Sequence, residues 1–169
     1  MNIYNPAEGH IKMTTKVLDS IRQHTFACLP EEACGVLLGQ TSKDNQIIDE
    51  YIPVRNTASD PRHHFSLDPV TWTSLVLKEP RICGLFHSHP ASFPIPSWED
   101  ISQLQYFGSL LQIYFIGTPN LFVPDDFNLE AYQIMKEPTL QSAWKSNRKV
   151  DETKRYMLRP LDYVISCST

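Results

Sequence analysis

Short apolar runs constrain the fold of this chain more than any other feature. Residues 33–39 (ACGVLLG) and 81–86 (RICGLF) are too short for buried helices and hold almost no polar side chain. Continuous apolar runs of this length are typical of strands that are buried on both faces of a sheet. Further strand candidates are less uniformly apolar; they are residues 10–13, 47–54, 111–117 and 127–135.

Segments with helical periodicity separate these strand candidates. Apolar residues recur with helical spacing in residues 17–29, and Pro30 then ends the pattern. Asp68 followed by Pro69 favours a helix start, because aspartate suits the N-cap and proline suits the first helical position. Residues 97–106 form a third helical segment. Strands that alternate with helices predict a mixed α/β (α+β) fold, with a mixed β-sheet flanked by helices.

The composition excludes several classes of function. The 169 residues are 41% hydrophobic, which is enough for a buried core, and their formal net charge is −4. A slightly acidic chain lacks the basic footprint that nucleic-acid binding requires. No segment approaches the ~20 apolar residues that cross a bilayer, so we expect no membrane partner. Residues 1–12 lack the basic-then-apolar order of a secretory signal, so we expect a cytoplasmic protein.

The four cysteines are predicted to be reduced thiols rather than a disulfide framework or a thiolate metal site. None of them belongs to a C-x-x-C pair. Cys34 and Cys83 lie inside apolar runs, where a free thiol packs as a small apolar side chain. We therefore expect both of these side chains in the core.

The chain changes character after Pro138. Residues 139–169 are rich in Lys, Arg, Glu and Ser, and they hold few apolar residues. We therefore predict one domain over residues 1–137, and a loosely attached tail or peripheral helix over residues 138–169. The alternative is a segment that becomes ordered on a partner. The oligomeric state does not follow from the sequence.

A histidine pair follows directly on one of the buried strand candidates. The apolar run 81–86 leads into His87, Ser88, His89 and Pro90. In an extended segment residues i and i+2 face the same side, so His87 and His89 can reach one point in space. Two imidazoles that converge at the rim of a sheet favour a zinc site.

Asp100 is the best candidate for a third ligand. It lies in the first turn of the helix that follows the proline-punctuated loop after His89, and this loop can fold back over the histidines. Catalytic zinc usually takes three protein ligands and leaves a fourth position to water. Two neutral imidazoles and one carboxylate leave such a site with a net positive charge, which acidifies bound water.

Two other side chains suit the remaining steps of a hydrolysis. Glu32 immediately precedes the apolar run 33–39, and it would project beside the histidines if the two apolar strands are neighbours. There it could take a proton from water and return it to a leaving amine. Ser97 lies three residues before Asp100, and its hydroxyl could donate to the oxyanion of the attacked carbonyl.

Together these residues resemble the JAMM motif of the JAB/MPN metalloprotease family. The resemblance rests on Glu32 before the ACGVLLG run, on the His-x-His-Pro of residues 87–90, and on Ser97-x-x-Asp100. It covers residues 10–136 and resembles the small bacterial members of the family. The tail after Pro138 has no counterpart in it.

The resemblance implies a role for each matched residue. The zinc ligands would be His87, His89 and Asp100. Glu32 would be the catalytic acid and base, and Ser97 would support the oxyanion. Glu32 matches rather than its neighbour because the family pattern places glutamate three residues before the strand glycine, here at position 35.

The resemblance also implies a fold, an activity and a partner. The family fold is a mixed sheet with flanking helices, related to that of cytidine deaminases. The enzymes are zinc metallopeptidases that cleave peptide or isopeptide bonds, typically after the C-terminal Gly-Gly of ubiquitin or ubiquitin-like proteins. Small bacterial members are associated with ubiquitin-like sulfur carriers. We therefore expect a sulfur-carrier protein, its conjugates or a peptide as the substrate.

Several of these residues also have a purely structural interpretation. Ser97 and Asp100 fit a helix-capping box, and we expect this interpretation to compete with metal binding, because an aspartate on zinc can hardly also reach the Ser97 amide. His63 and His64 are expected to be solvated or packed; the alternative is a substrate contact at the rim of the cleft. Trp98 is expected to pack on the core rather than to form the floor of the cleft.

Two other classes of function compete with a zinc hydrolase. A non-catalytic JAB/MPN scaffold would be expected to have lost its ligands, whereas all five matched positions are present here. A nucleoside deaminase would need a P-C-x-x-C pair and an H-x-E glutamate, and this sequence has neither. The zinc-dependent peptidase or isopeptidase is therefore the favoured prediction.

Overall fold

A computed structural model of the chain describes residues 10–41, 45–120, 122–123, 125–137 and 155–167. The helices in these ranges are α1 (Thr15–Cys28), α2 (Pro69–Lys78) and α3 (Trp98–Phe107). The strands are β1 (His10–Thr14), β2 (Cys34–Thr41), β3 (Asn45–Val54), β4 (Ile82–Ser88), β5 (Ile113–Pro119), β6 (Phe127–Lys136), β7 (Tyr156–Leu161) and β8 (Tyr163–Ser166). Every helix and strand predicted up to residue 136 is present, with ends that shift by a few residues.

The strands form one mixed sheet in the order β7-β6-β5-β4-β2-β3-β1-β8. Strand β4 is parallel to β5 and antiparallel to β2, so it lies in the middle of the sheet. Strands β7 and β8 stand at opposite ends of this order, yet only Asp162 separates them in the chain. The sheet therefore curls until its two edges approach each other. The predicted mixed sheet with flanking helices is confirmed.

Helices cover both faces of the sheet and bury its central strands. On one face Ile21 of α1 packs in a cluster with Phe86. On the other face Leu104 of α3 packs with Leu85 and Tyr114. Leu85 and Phe86 are consecutive residues that point to opposite faces, which explains why β4 is apolar without interruption.

Side-chain caps mark the starts of the helices, and Asp68 is the cap that the sequence predicts for α2. The Thr14 side chain accepts a hydrogen bond from the Val17 amide at 3.3 Å, and Asp68 Oδ2 accepts one from the Thr71 amide at 2.9 Å. Each cap satisfies an amide that the first turn of a helix leaves without an internal partner. None of the helices in the described ranges is both long and apolar enough to span a membrane.

The two buried thiols lie where the sequence predicts them. Cys34 and Cys83 are 0% and 5% exposed, and their thiols donate to the carbonyl oxygens of Val54 and Leu37. Burial raises the pKa of both thiols to about 12, so they are protonated and unreactive at neutral pH. Core packing is therefore confirmed for these two residues.

Residues 155–167 differ from the predicted tail or peripheral helix. They form β7, which pairs antiparallel with β6, and β8, which pairs parallel with β1. Tyr156 is buried beside Tyr114, and Tyr163 packs edge-on against Phe115 with a centroid distance of 5.2 Å. One aromatic anchor holds each of these edge strands, so a segment with few apolar residues still joins the sheet. Residues 138–154 lie outside the described ranges, and the predicted domain boundary stays a prediction.

Candidate metal centre and active site

The end of β4 brings two imidazoles together. His87 is fully buried, stacks on the Phe65 ring at 4.5 Å and meets the Tyr114 ring edge-on at 5.3 Å. His89 lies just past the strand, where its amide donates to the Gly117 carbonyl of β5 at 2.8 Å. The alternation of an extended chain, continued for one residue beyond β4, therefore places both rings on one side, as predicted.

Asp100 completes a group of three potential ligands. Its Oδ1 lies 3.1 Å from His87 Nε2, and its Oδ2 lies 3.4 Å from His89 Nε2. The two Nε2 atoms are themselves 2.9 Å apart, and one ligand atom from each residue lies within 4.8 Å of the others. All three residues are buried. The structure thus brings together the three residues that the sequence singled out as ligands, in an arrangement that can hold a metal ion.

The hydrogen bonding of the histidines fits a metal ion in this position. His89 Nδ1 lies 2.8 Å from the Phe93 carbonyl, which can only accept, so the proton sits on Nδ1 and Nε2 keeps a lone pair in the neutral ring. A partner of this kind is the usual support of a metal-binding imidazole. His87 Nδ1 is buried without a partner among the described residues. Two imidazole nitrogens and a carboxylate are a donor set that suits zinc.

The charges of Asp100 and His87 match the protonation states of metal ligands, whereas burial of His89 is outweighed by its hydrogen bonds to Asp100 and Phe93, which raise its pKa. Burial would raise the pKa of Asp100, but hydrogen bonds from His87, His89 and Ser97 outweigh it and hold that pKa well below its usual range. Burial lowers the pKa of His87 and outweighs the attraction of Asp100. Asp100 is therefore a carboxylate and His87 a neutral imidazole, which are the forms that bind metal.

Asp100 also closes the capping box of α3, which is the structural interpretation that the sequence offered for it. Its Oδ2 accepts from the Ser97 amide at 2.6 Å and from the Ser97 hydroxyl at 2.7 Å, while Ser97 Oγ accepts from the Asp100 amide at 3.1 Å. We expected the cap and the metal site to compete for Asp100. The cap uses only Oδ2, which also lies 3.4 Å from His89 Nε2, and it leaves Oδ1 facing His87, so Oδ1 stays available to a metal ion. The cap therefore orients the carboxylate toward the histidines.

Glu32 lies beside this group because β2 and β4 are neighbours. Cys34 of β2 pairs with His87 of β4, so the residue two positions before Cys34 reaches the same edge of the sheet. Glu32 is 6% exposed and lines the same cleft as His89 and Asp100. Burial raises the pKa of Glu32 to about 8; nearby His89 lowers it, and the charge of Asp100 raises it further. A carboxyl group with such a pKa can both accept and return a proton near neutral pH.

The cleft over these residues has a volume of about 340 Å³. One wall is the loop that carries Arg62, His63 and His64, and the segment after His89 also lines the cleft. His63 and His64 are exposed, and His63 Nδ1 lies 2.9 Å from Asp60 Oδ2. Both histidines are therefore solvated, as expected, and they also line the cleft, so the alternative of a substrate contact stays a prediction.

The position of Trp98 contradicts the prediction that its side chain packs on the core. Its side chain is 85% exposed rather than packed on the core, and it does not line this cleft. The reason is its place in the first turn of α3, where Asp100 and Leu104 take the buried face. Phe93 and Ile95 in the preceding loop are similarly exposed, at 79% and 63%.

Three residues that shape the site were not identified from the sequence. Phe65 stacks on His87, Ser88 accepts a hydrogen bond from the Ala33 amide, and Asn56 donates to the Glu32 carbonyl. Ser88 carries a weak signal, since it stands between the two histidines and must point away from them. Asn56 and Phe65 lie in or next to a loop without periodicity, so no pattern indicates their partners.

Known proteins are similar to this chain in fold and in sequence. The profile of the family described as prokaryotic homologs of the JAB domain matches residues 14–133. A protein of Haloferax volcanii named desampylase is 32% identical over 108 residues, which cover 62% of this chain and 74% of that protein. The solution structure of protein DSY2949 from Desulfitobacterium hafniense has a TM-score of 0.63 at 24% identity, over 94% of this chain and 92% of that one. The last comparison shows the fold, and the first two show that this chain belongs to the JAB/MPN family, as a small prokaryotic member.

Proposed function

We propose that the protein is a zinc-dependent peptidase or isopeptidase that acts at the C-terminus of a ubiquitin-like, sulfur-carrier-type protein or its conjugates. One observation carries this proposal. His87, His89 and Asp100 converge within 4.8 Å, and a buried glutamate of raised pKa lines the same cleft. The enzyme name of the relative from H. volcanii supports a hydrolase, and membership of the JAB/MPN family supports the kind of substrate.

His87, His89 and Asp100 would hold the zinc ion. When bound there, zinc would acidify a coordinated water and polarise the scissile carbonyl. Asp100 is kept in place by the Ser97 cap, and His89 by the Phe93 carbonyl. These contacts restrict both ligands to orientations that face the cleft.

Glu32 would move the proton during the reaction. As a carboxylate it accepts a proton from the attacking water, and as a carboxylic acid it returns that proton to the departing amine. A pKa of about 8 keeps both forms accessible near neutral pH. Its position in the same cleft as His89 and Asp100 supports this role.

Ser97 would support the oxyanion that forms on the attacked carbonyl. Its hydroxyl has a single proton, and in this structure that proton is donated to Asp100 Oδ2. Support of the oxyanion therefore requires the hydroxyl to turn toward the substrate. In the orientation seen here, Ser97 caps α3 and its hydroxyl donates to Asp100.

The test is cleavage of a defined conjugate. A ubiquitin-like protein joined through its C-terminal Gly-Gly to a lysine or cysteine is incubated with the zinc-loaded protein, and the released C-terminus is identified by mass. Glu32→Gln should keep its zinc and lower turnover by roughly 10²–10⁴. The matched control is Glu31→Gln, since Glu31 is the exposed neighbour and should be dispensable.

The outcomes separate an enzyme from a scaffold. No cleavage of any such conjugate by the zinc-loaded protein, together with no tightly bound metal, would favour a non-catalytic JAB/MPN module. Turnover by Glu32→Gln equal to that of the unaltered protein would remove Glu32 from the mechanism. The cytoplasmic localisation and the absence of nucleic-acid and membrane partners stay predictions of the sequence.

A further inference from the structure

The side chain of Asn56 joins the segment that carries Glu32 to one wall of the cleft. Its Nδ2 donates to the carbonyl oxygens of Glu32 and His64, at 3.0 Å each, and lies 3.5 Å from the Pro61 carbonyl. Glu32 is the proposed acid and base, and His64 belongs to the loop that lines the same cleft. One amide group therefore sets the distance between these two parts of the site.

The orientation of this amide is determined by its partners. Asn56 Oδ1 accepts from the backbone amides of Ala58 and Ser66, both at 3.0 Å. A side-chain amide has two donor hydrogens and two acceptor sites, and here all four are used. A flipped amide would place oxygen against two carbonyl oxygens and nitrogen against two N–H groups. Only asparagine, at this length, satisfies both sets of partners.

Glu32 depends on this loop for both of its backbone hydrogen bonds. Its amide donates to the Pro61 carbonyl at 2.7 Å, and its carbonyl accepts from Asn56. Glu32 precedes β2, whose ladder begins at Cys34, so the sheet itself does not hold the Glu32 backbone. The next residue, Ala33, is fixed independently by Ser88 of β4.

We propose that Asn56 is a positioning residue, which holds Glu32 at a fixed place relative to the metal ligands and to the His64 wall of the cleft. This inference rests on the proposed function, since it assigns Asn56 a role through the proposed acid and base. Asn56 itself does not touch the reacting atoms. Its loss shifts the proton-transferring group, and a shift of about 1 Å can reduce turnover by about 10²-fold.

Asn56→Asp is the sharpest variant because it keeps the shape of the side chain. One carboxylate oxygen can still accept from the Ala58 and Ser66 amides, whereas the other would face the carbonyl oxygens of Glu32 and His64 and repel them. Asn56→Ala removes all contacts and serves as the second variant. The control is Thr57→Val, which removes the hydrogen bond from Thr57 Oγ1 to the Ser66 carbonyl at 3.2 Å in the same loop and leaves Glu32 untouched.

The variants are compared as zinc-loaded full-length chains. Both Asn56 variants should lower kcat roughly 10- to 100-fold, with KM and zinc content close to those of the unaltered protein. Thr57→Val should match the unaltered protein in all three quantities. An unchanged kcat in both Asn56 variants, an equal loss in Thr57→Val, or a loss of zinc would each overturn the role assigned to Asn56.

Hydrogen exchange of single backbone amides tests the same inference without a substrate. Asn56→Asp should speed exchange at the Glu32 amide roughly tenfold, because it weakens the loop that this amide bonds to, and should leave the Ala33 amide unchanged. Equal exchange at Glu32 in both proteins would overturn the inference. If the unaltered protein cleaves no conjugate, the proposed function fails, and the exchange result still decides whether Asn56 positions Glu32.

Discussion

The hydroxyl of Ser88 accepts a hydrogen bond from the backbone amide of Ala33 at 2.8 Å, and the Ser88 amide donates to the Ala33 carbonyl at 2.9 Å. The residue between the two histidines is therefore tied to the residue that follows Glu32. Ser88 is fully buried. This pair of bonds joins the two strand ends that carry the candidate site.

Replacement of Ser88 should destabilise the protein. Ser88→Ala leaves the Ala33 amide buried without its acceptor, which should lower the free energy of unfolding by about 1–3 kcal/mol. Urea denaturation measures the difference. The control is Ser102→Ala, which removes an exposed hydroxyl that donates to the Trp98 carbonyl, and should change stability by less than about 0.5 kcal/mol. Equal stabilities of Ser88→Ala and the unaltered protein would show that the buried bond is dispensable.

Removal of one ligand should abolish metal binding. His87→Ala deletes one of the three converging nitrogen and oxygen ligands, and two ligands hold zinc weakly. Zinc content after dialysis and the rise in Tm on adding zinc report the binding, since an ion that binds only the folded state stabilises it. Asp100→Asn is a second variant, in case the buried cavity left by His87→Ala impairs folding.

His63→Ala is the matched control for the metal. His63 lies on the wall of the same cleft but outside the group of three, so this variant should keep its zinc. Loss of zinc from His63→Ala with retention in His87→Ala would place the metal elsewhere.

Replacement of Ser97 should weaken zinc binding as well as destabilise the protein. Ser97→Ala removes both the cap of α3 and the hydroxyl donor to Asp100 Oδ2. We expect the free energy of unfolding to fall by about 0.5–2 kcal/mol and zinc affinity to fall about 10- to 100-fold, as for other groups that orient a ligand. Ser97→Thr keeps the hydroxyl, so it should retain most of the free energy of unfolding and most of the zinc affinity. If zinc affinity is unchanged and only kcat falls, Ser97 acts on the substrate alone.

The stability of the metal-free protein should depend on pH through Glu32. The pKa of Glu32 is about 8 in the folded protein, against 4.5 for the free side chain. Between these values the unfolded chain releases a proton that the folded protein retains, so the stability that Glu32 contributes below pH 4.5 is lost as pH rises toward 8. Glu32→Gln cannot ionise, and its stability relative to the unaltered protein should therefore increase from pH 5 to pH 8.

Chemical denaturation of the two chelator-treated proteins at pH 5 and pH 8 measures this difference. Glu31→Gln is again the control. Glu31 is exposed, so its replacement should not change how the free energy of unfolding depends on pH. A constant stability difference between Glu32→Gln and the unaltered protein across this range would mean that the folded environment does not raise the pKa of Glu32.

Local patterns in the sequence determined most of the elements and the pairing of the two histidines. The apolar runs of β2 and β4 identify central strands, and the alternation of side chains in an extended segment places His87 and His89 on one side. The spacing of Ser97 and Asp100 fixes the cap of α3. These features depend on residues within four positions of one another, where the backbone geometry alone sets the contacts.

The tertiary structure decided what the spacing left open. It placed Asp100 in the helix cap and beside both histidines at once, turned Trp98 to solvent, and placed Asn56 between Glu32 and His64. It also added β7 and β8 to the two ends of the sheet. A periodic pattern tells which face of its own element a residue occupies, but the partner across that face depends on how the whole chain packs. For this reason the sequence sufficed to select the candidate ligands, and only the folded chain could show what holds the proposed acid and base in place.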